Sequence, residues 1–283
     1  MKTIAWMTGT IVSFSVMAVA GREVSGVHDT FEIMAFRSVV GFATVVLALT
    51  LTQRWGTISR NNLKTHGLRN IFHFSGQNLW FLAIAWAPLA QVFALEFTSP
   101  LWAMFLAPFL LGDRVTRVQL VAAGIGFIGV LMVTRPGVGE MSWGVPLAAA
   151  SAVFFALTGL LTKRLTRIES VASIMFWLTL MQLVLGVLAV GIDGAVTWPT
   201  EDTWYWLVLI GLGGVCAHFC LSSALALSPI SVVMPLDFTR LPAIAVVAAL
   251  LYNEALDLWI IGGAAVIFVG NYLNIMASRR EKT

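Results

Sequence analysis

A chain of 283 residues that is 59% hydrophobic and only 11% charged, with a mean hydropathy of +0.88, lies outside the balance of a soluble domain. Its 17 lysines and arginines against 14 acids leave a formal net charge of +3, and no basic stripe marks a nucleic-acid surface. Two cysteines exclude a disulfide framework.

Apolar runs of about 20 residues recur between short polar breaks, as bilayer-spanning helices require. They predict spans at 3–21, 30–52, 67–86, 88–111, 115–134, 143–162, 170–192, 203–226, 229–252 and 257–277. Lys2, the apolar run after it and Ala18-Val19-Ala20 imitate a signal peptide. The segment reads instead as a first span, because its removal would leave the first half one helix short. The second span carries Arg37, and the third is unusually polar, with His73-Phe-Ser75-Gly-Gln77-Asn78-Leu-Trp80. The fourth opens at Pro88 and holds Glu96, Pro100 and Trp102; the ninth opens at Pro229 and holds Asp237, Arg240 and Pro242. In the eighth, Cys216, His218 and Cys220 could suggest a metal, but at 100° per residue the histidine points away from both sulfurs. Nothing calls for a cofactor.

With ten spans both termini share a face. That face receives thirteen lysines and arginines, from Lys2 through the 53–66, 112–117 and 163–169 segments to Lys282, with Arg69 counted among them. The other face has Arg22 and Arg135 only, and Arg37 and Arg240 lie inside helices. The positive-inside rule then puts both termini in the cytoplasm of a bacterial-type inner membrane. The acidic segment from Asp193 to Asp202, beside Trp198, Trp204 and Trp206, suits the outer interface.

Sliding the chain by 141 residues superposes its halves without a gap. Pro88 meets Pro229, Glu96-Phe97-Thr98 meets Asp237-Phe238-Thr239, Asp113 meets Glu254, Phe127 meets Phe268 and Gly129 meets Gly270. Each unit has five spans, an odd number, so the second copy enters the membrane from the opposite side. The expected fold is an all-α polytopic membrane protein of ten transmembrane helices in two inverted five-helix repeats, residues 1–141 and 142–283. Inverted repeats around a midplane site are a secondary-transporter design.

The chain resembles the drug/metabolite transporter superfamily, specifically its ten-helix EamA-type members. The resemblance rests on Phe36-Arg37, Pro88 before the apolar fourth span, Leu111-Gly112-Asp113-Arg114-Val115, and Gly124 through Gly129 before Thr134-Arg135-Pro136-Gly137. The motifs are weak singly and specific in order, spacing and duplication. Asp113-Arg114 stands where Gly-Glu-Arg is typical. The resemblance implies transport, in a family whose members export amino acids and other metabolites or take up S-adenosylmethionine or riboflavin, without naming a cargo.

Ionisable groups at bilayer depth are costly and mark candidate sites. Glu96 and Asp237 each follow a helix-opening proline by eight residues, about 12 Å at 1.5 Å per residue, near the middle of a hydrocarbon core about 30 Å thick. Pro100 and Pro242 should deprive the carbonyls of Glu96 and Phe238 of their helical donors. Arg240, three residues beyond Asp237, can pair with it locally. His73, Gln77 and Trp80 share one helix face, and the shift places His218 opposite Gln77. Gln77 and Asn78 could hydrogen-bond a planar ligand on which Trp80 or Trp102 stacks, or serve as interhelical polar contacts. Arg37 calls for an ion pair, with Glu32 or Glu96, unless the cargo is anionic. Gly124, Gly126, Gly129, Gly262, Gly263 and Gly270 read as close helix packing, with a homodimer face as a second use.

These residues predict a secondary transporter of a small organic metabolite, with a tilt toward a heteroaromatic or amphipathic cargo such as a flavin, S-adenosylmethionine or an amino acid. No Walker motif supports ATP-driven pumping. An intramembrane enzyme is the alternative, but neither His-Glu-x-x-His nor Gly-x-Ser-x-Gly occurs. A channel would conduct without alternating access.

Overall fold

A computed structural model describes residues 2–111, 116–135, 142–192, 194–227, 233, 236–237, 240–254 and 257–280. The Gly112–Val115 corner, Pro136-Gly137, Asp193, and Pro229, Phe238 and Thr239 of the repeat lie outside them. Among the described residues the secondary structure is helical: α1 (Lys2–Val24), α2 (Thr30–Leu51), α3 (Leu63–Trp86), α4 (Leu89–Glu96), α5 (Ser99–Leu111), α6 (Arg117–Thr134), α7 (Gly144–Leu165), α8 (Val171–Ala189), α9 (Trp204–Leu227), α10 (Arg240–Tyr252) and α11 (Leu258–Arg280).

Local chemistry sets several boundaries. Asp29 caps α2, accepting from the amides of Phe31 and Glu32 while Glu32 accepts from the Asp29 amide, a complete capping box. Ser170 caps α8 through the Ser173 amide. Ala87 is extended before Pro88, where a helical residue would clash with the proline ring, and α3 ends there.

Five helices, α1, α2, α7, α8 and α9, are long and apolar enough to cross a membrane by length and composition, and shorter apolar helices accompany them. The 24-residue α3 is not among these five because of its polar residues, and it buries that stripe: His66, Arg69, Asn70, His73 and Gln77 all face inward. Successive helices reverse direction, except α4 and α5, which run the same way through one span. Call the end at which α1 begins the lower end. The starts of α2, α4, α7, α9 and α11 meet the ends of α1, α3, α6 and α10 at the upper end, through contacts such as Arg22 with Glu254, Ser142 with the Trp86 carbonyl and His28 with Thr203. Trp86, Trp143, Trp198, Trp204 and Trp259 are exposed around that end, as an interfacial belt requires, whereas Trp206 turns partly inward against the core.

In the bundle α1 packs on α9, α3 on α7, α2 on α8, α6 on α11 and α4 on α10. The 141-residue shift carries the first two pairs into each other and the next two, α2 on α8 and α6 on α11, onto themselves. The α6–α11 contact is the tightest backbone approach. A Cβ on Gly129 would lie 2.6 Å from the Gly263 carbonyl oxygen, and one on Gly270 would lie 2.7 Å from that of Ala122. The glycines therefore serve helix packing inside one chain. This is an all-α, polytopic membrane architecture.

Candidate functional site

The fourth span is two helices rather than the single one expected. The Pro100 nitrogen has no proton for the Glu96 carbonyl, and that carbonyl instead accepts the Ser99 hydroxyl. The chain breaks at Phe97-Thr98. Thr98 donates its hydroxyl to the Leu95 carbonyl at 2.7 Å, and Asn271 of α11 donates its side-chain amide to the Phe97 carbonyl at 2.7 Å. Broken helices are tolerated at membrane depth only where other groups satisfy the freed backbone. Glu96, at the end of α4, is placed by this break.

Arg240, at the start of α10, holds both candidate acids with one guanidinium nitrogen. Its Nη2 lies 2.9 Å from Glu96 Oε1 and 3.0 Å from Asp237 Oδ2. Trp80 Nε1 donates to the second Glu96 oxygen at 2.8 Å. The rings of Phe14, Phe93 and Phe97 face the guanidinium carbon at 4.8, 5.1 and 5.1 Å. Charge pairing and cation–π contact thus stabilise one buried cation together. The pairing of Asp237 with Arg240 expected from their spacing is present, and the spacing did not reveal that the same arginine reaches Glu96.

Most sequence candidates gather here. Trp80 is buried and its ring stands edge-on to Phe93. His218 stands edge-on to Phe14 at 5.4 Å and to His73 at 4.8 Å, which links the polar face of α3 to the Arg240 cluster. His73 and Gln77 are buried, and both ring nitrogens of His73 and Oε1 of Gln77 have no partner. Asn78 turns back on its own helix, donating to the Phe74 carbonyl at 2.8 Å, with its oxygen unpartnered. Trp102 stands apart, 41% exposed on α5.

The ion pair expected for Arg37 does not form among the described residues. Glu32 is occupied by its own helix cap, by His28 and by the Thr197 amide, and Glu96 by Arg240 and Trp80. Among the described residues Arg37 donates to Met34 Sδ, at 3.4 Å. Arg69, counted from sequence among the cations of the lower face, is 2% exposed and donates from Nε to Thr162 Oγ1 at 2.6 Å. Sequence reading also passed over Asn271, although an amide in an apolar span was a usable signal.

A second polar assembly closes the upper end. Arg22 pairs with Glu254 at 2.8 Å and donates to the carbonyls of Ile84 and Ala87, while Glu254 accepts the Leu89 amide at the start of α4. Burial pushes the Glu254 carboxyl above its usual range, and Arg22 and the backbone amides only partly offset this. A cavity of about 250 Å³ lined by His28, Asp29, Phe81 and Trp86 lies at this end, and one of about 190 Å³ lined by Lys64, Leu68, Leu161 and Arg164 at the lower end. Neither is lined by Glu96, Asp237 or Arg240.

The EamA-like transporter family matches this chain twice, over residues 1–135 and 142–276. A riboflavin transporter of Brucella anthropi is 29% identical over 84% of this chain and 87% of its own length. One of Rhizobium johnstonii is 30% identical over 77% and 72%. An S-adenosylmethionine uptake transporter of Rickettsia bellii is 25% identical over 98% and 94%. A crystal structure covering 99% of both chains superposes with a TM-score of 0.69 at 18% identity, a likeness of fold.

Proposed function

Since the chain belongs to the EamA-like transporter family, we propose that it carries its cargo by alternating access around the Glu96–Arg240–Asp237 cluster. It is a transmembrane metabolite transporter; the family and its named relatives are transporters rather than enzymes. The observation that carries the mechanism is one guanidinium holding two carboxylates that the 141-residue shift makes equivalent. A bridge between related halves at mid-depth is a natural pivot and binding floor for two rocking repeats. The division into residues 1–141 and 142–283 is supported by the double family match and by the helix pairs that exchange under the shift.

Closure is read in the same terms. Arg22 with Glu254 ties α1 and α10 to the start of α4. The shift carries Arg22 to Lys163 and Glu254 to Asp113, again a cation and an acid, and Lys163 ends α7 as Arg22 ends α1. The same charge types therefore stand where each end would seal. We assign the lower end, with both termini, to the cytoplasm of an inner membrane on the charge asymmetry of the loops. A homodimer would use the Gly124 and Gly262 faces, since Gly126, Gly129, Gly263 and Gly270 are taken up within the chain.

The cargo reading is a heteroaromatic or amphipathic metabolite. Relatives named for riboflavin and S-adenosylmethionine support it, as do the rings and amides of Phe14, Trp80 and Gln77 beside the charge cluster. The test is counterflow in proteoliposomes with each compound. Saturable exchange is expected in the parent and at least about tenfold less in Glu96→Gln, the scale of one lost charged contact. Steady conductance without countersubstrate would establish a channel and remove alternating access.

A further inference from the structure

A guanidinium buried without a counter-charge is among the most costly groups a membrane protein can hold. Among the described residues this chain holds two. Arg37 is 8% and Arg69 2% exposed, and no ion pair among the described residues includes either. Nη1 of Arg69 is buried with no partner.

The two arginines bracket one place. His73 lies one turn beyond Arg69 on α3, and its ring meets that of His218 on α9 at 4.8 Å. One turn before His218 is Gly214, where an added Cβ would lie 2.9 Å from Arg37 Nη2, so the missing side chain leaves room for the guanidinium. Both arginines bear electrostatically on both histidines. His73 Nδ1 and Nε2 and His218 Nε2 have no partner. Arg69, His73 and His218, each with an unpartnered nitrogen, thus converge from α3 and α9, and Arg37 reaches toward them from α2.

Packing alone does not ask for charge here. The 141-residue shift carries Arg37 to Leu178 and Arg69 to Ile210, both buried apolar residues. The scaffold accepts a hydrocarbon side chain at each equivalent position, and only the first half spends a cation there.

We propose that Arg37 and Arg69, with His73 and His218, form the recognition site for an acidic group, a carboxylate or phosphate, on the transported metabolite. This deepens and rests on the transporter reading above. The Glu96–Arg240–Asp237 cluster, with two acids to one cation, would face the other part of the cargo.

The test uses the full purified chain and matched pairs differing in one acidic group: flavin mononucleotide against riboflavin, S-adenosylmethionine against its decarboxylated form, phenylalanine against phenethylamine. Thermal stabilisation is titrated for the parent, Arg37→Met, Arg69→Met and Arg69→Lys. In at least one pair the acidic member should bind about tenfold or more tightly than its mate. Either methionine variant should erase that preference, and Arg69→Lys should retain it. Without ligand, both methionine variants should melt within about 2 °C of the parent or above it, since each removes an uncompensated charge. A clear drop in unliganded melting temperature in both would make the arginines structural and overturn the proposal, even if no pair binds. Equal binding within every pair would also overturn it, and counterflow of the neutral member would then leave the transporter reading standing. Arginine-dependent stabilisation by phosphatidylglycerol alone would assign the site to a lipid headgroup and remove the cargo claim.

Discussion

Arg240 and Arg22 hold carboxylates at different depths. Arg240 has a side chain 4% exposed, two acids within 3.0 Å and three aromatic rings around it. Arg22 is 23% exposed and shares its hydrogens between one acid, Glu254, and two backbone carbonyls where three helices end or begin. The ingredients are alike, and the environment makes them behave differently. At mid-depth no water can replace a lost partner, so the pairing must persist or be handed to a ligand. At the rim water can take over each hydrogen bond, so the contact can open at modest cost. A transporter needs both: a fixed polar floor and a seal that yields.

The largest effect should come from breaking the deep assembly. Arg240→Met leaves Glu96 and Asp237 facing each other without a cation, and removing one partner of a buried pair costs about 3–5 kcal/mol. Little folded protein should survive detergent extraction, as judged by size-exclusion profile and melting temperature. Adding Glu96→Gln and Asp237→Asn to Arg240→Met should restore folding without restoring counterflow. Recovery of both would reduce the cluster to a structural device. Asn271→Leu tests the same depth with a neutral group: losing its hydrogen bond to the Phe97 carbonyl costs about 1 kcal/mol, and a lowered melting temperature should report it.

The same contrast explains what could be read in the sequence. The spans α1, α2, α7, α8 and α9 were legible as apolar runs long enough for the bilayer, and Glu96 was legible as an ionisable group inside an apolar run, which fits a buried structural acid as well as a substrate or proton role. The break at Phe97-Thr98 was legible only as a kink, since Pro100 announces a lost donor but not that Ser99 and Asn271 would replace it. The reach of Arg240 to Glu96 spans 144 residues, which i, i+3 spacing cannot reveal. Arg69 was misplaced because α3 begins at Leu63, four residues before the expected start, so a cation that looked interfacial entered the bundle. Arg37 was assigned a partner that Asp29-Thr-Phe-Glu32 already commits to a capping box, a pattern visible in the sequence. Trp102 lies in a helix apolar on every side, where periodicity gives no inward face.

The rim should yield smaller effects with a different readout. Arg22→Met removes one partly exposed pair and two backbone contacts, about 1 kcal/mol, and should scarcely lower the melting temperature. It should nonetheless loosen the upper seal. In a background with Cys216 and Cys220 changed to Ala, a cysteine placed by Ala90→Cys should react faster with an impermeant maleimide when Arg22→Met is added. Unchanged labelling would mean that the Arg22–Glu254 contact is not what holds the upper end.

The smallest effect separates charge from burial at Glu254. Its carboxyl is raised above the usual value of 4.5 chiefly by burial, against the opposing pull of Arg22 and the Leu89 amide. A raised carboxyl favours its protonated form in the folded state. Its contribution is therefore fully present below the unfolded value and is lost as pH rises through the raised one. Melting curves from pH 4.5 to 8 should show the parent losing stability relative to Glu254→Gln as pH increases, with the two converging at the acid end. The opposite slope, with the parent ahead at pH 8 and falling behind on acidification, would mean that pairing with Arg22 outweighs burial. The rim would then resemble the deep assembly in kind and differ only in strength.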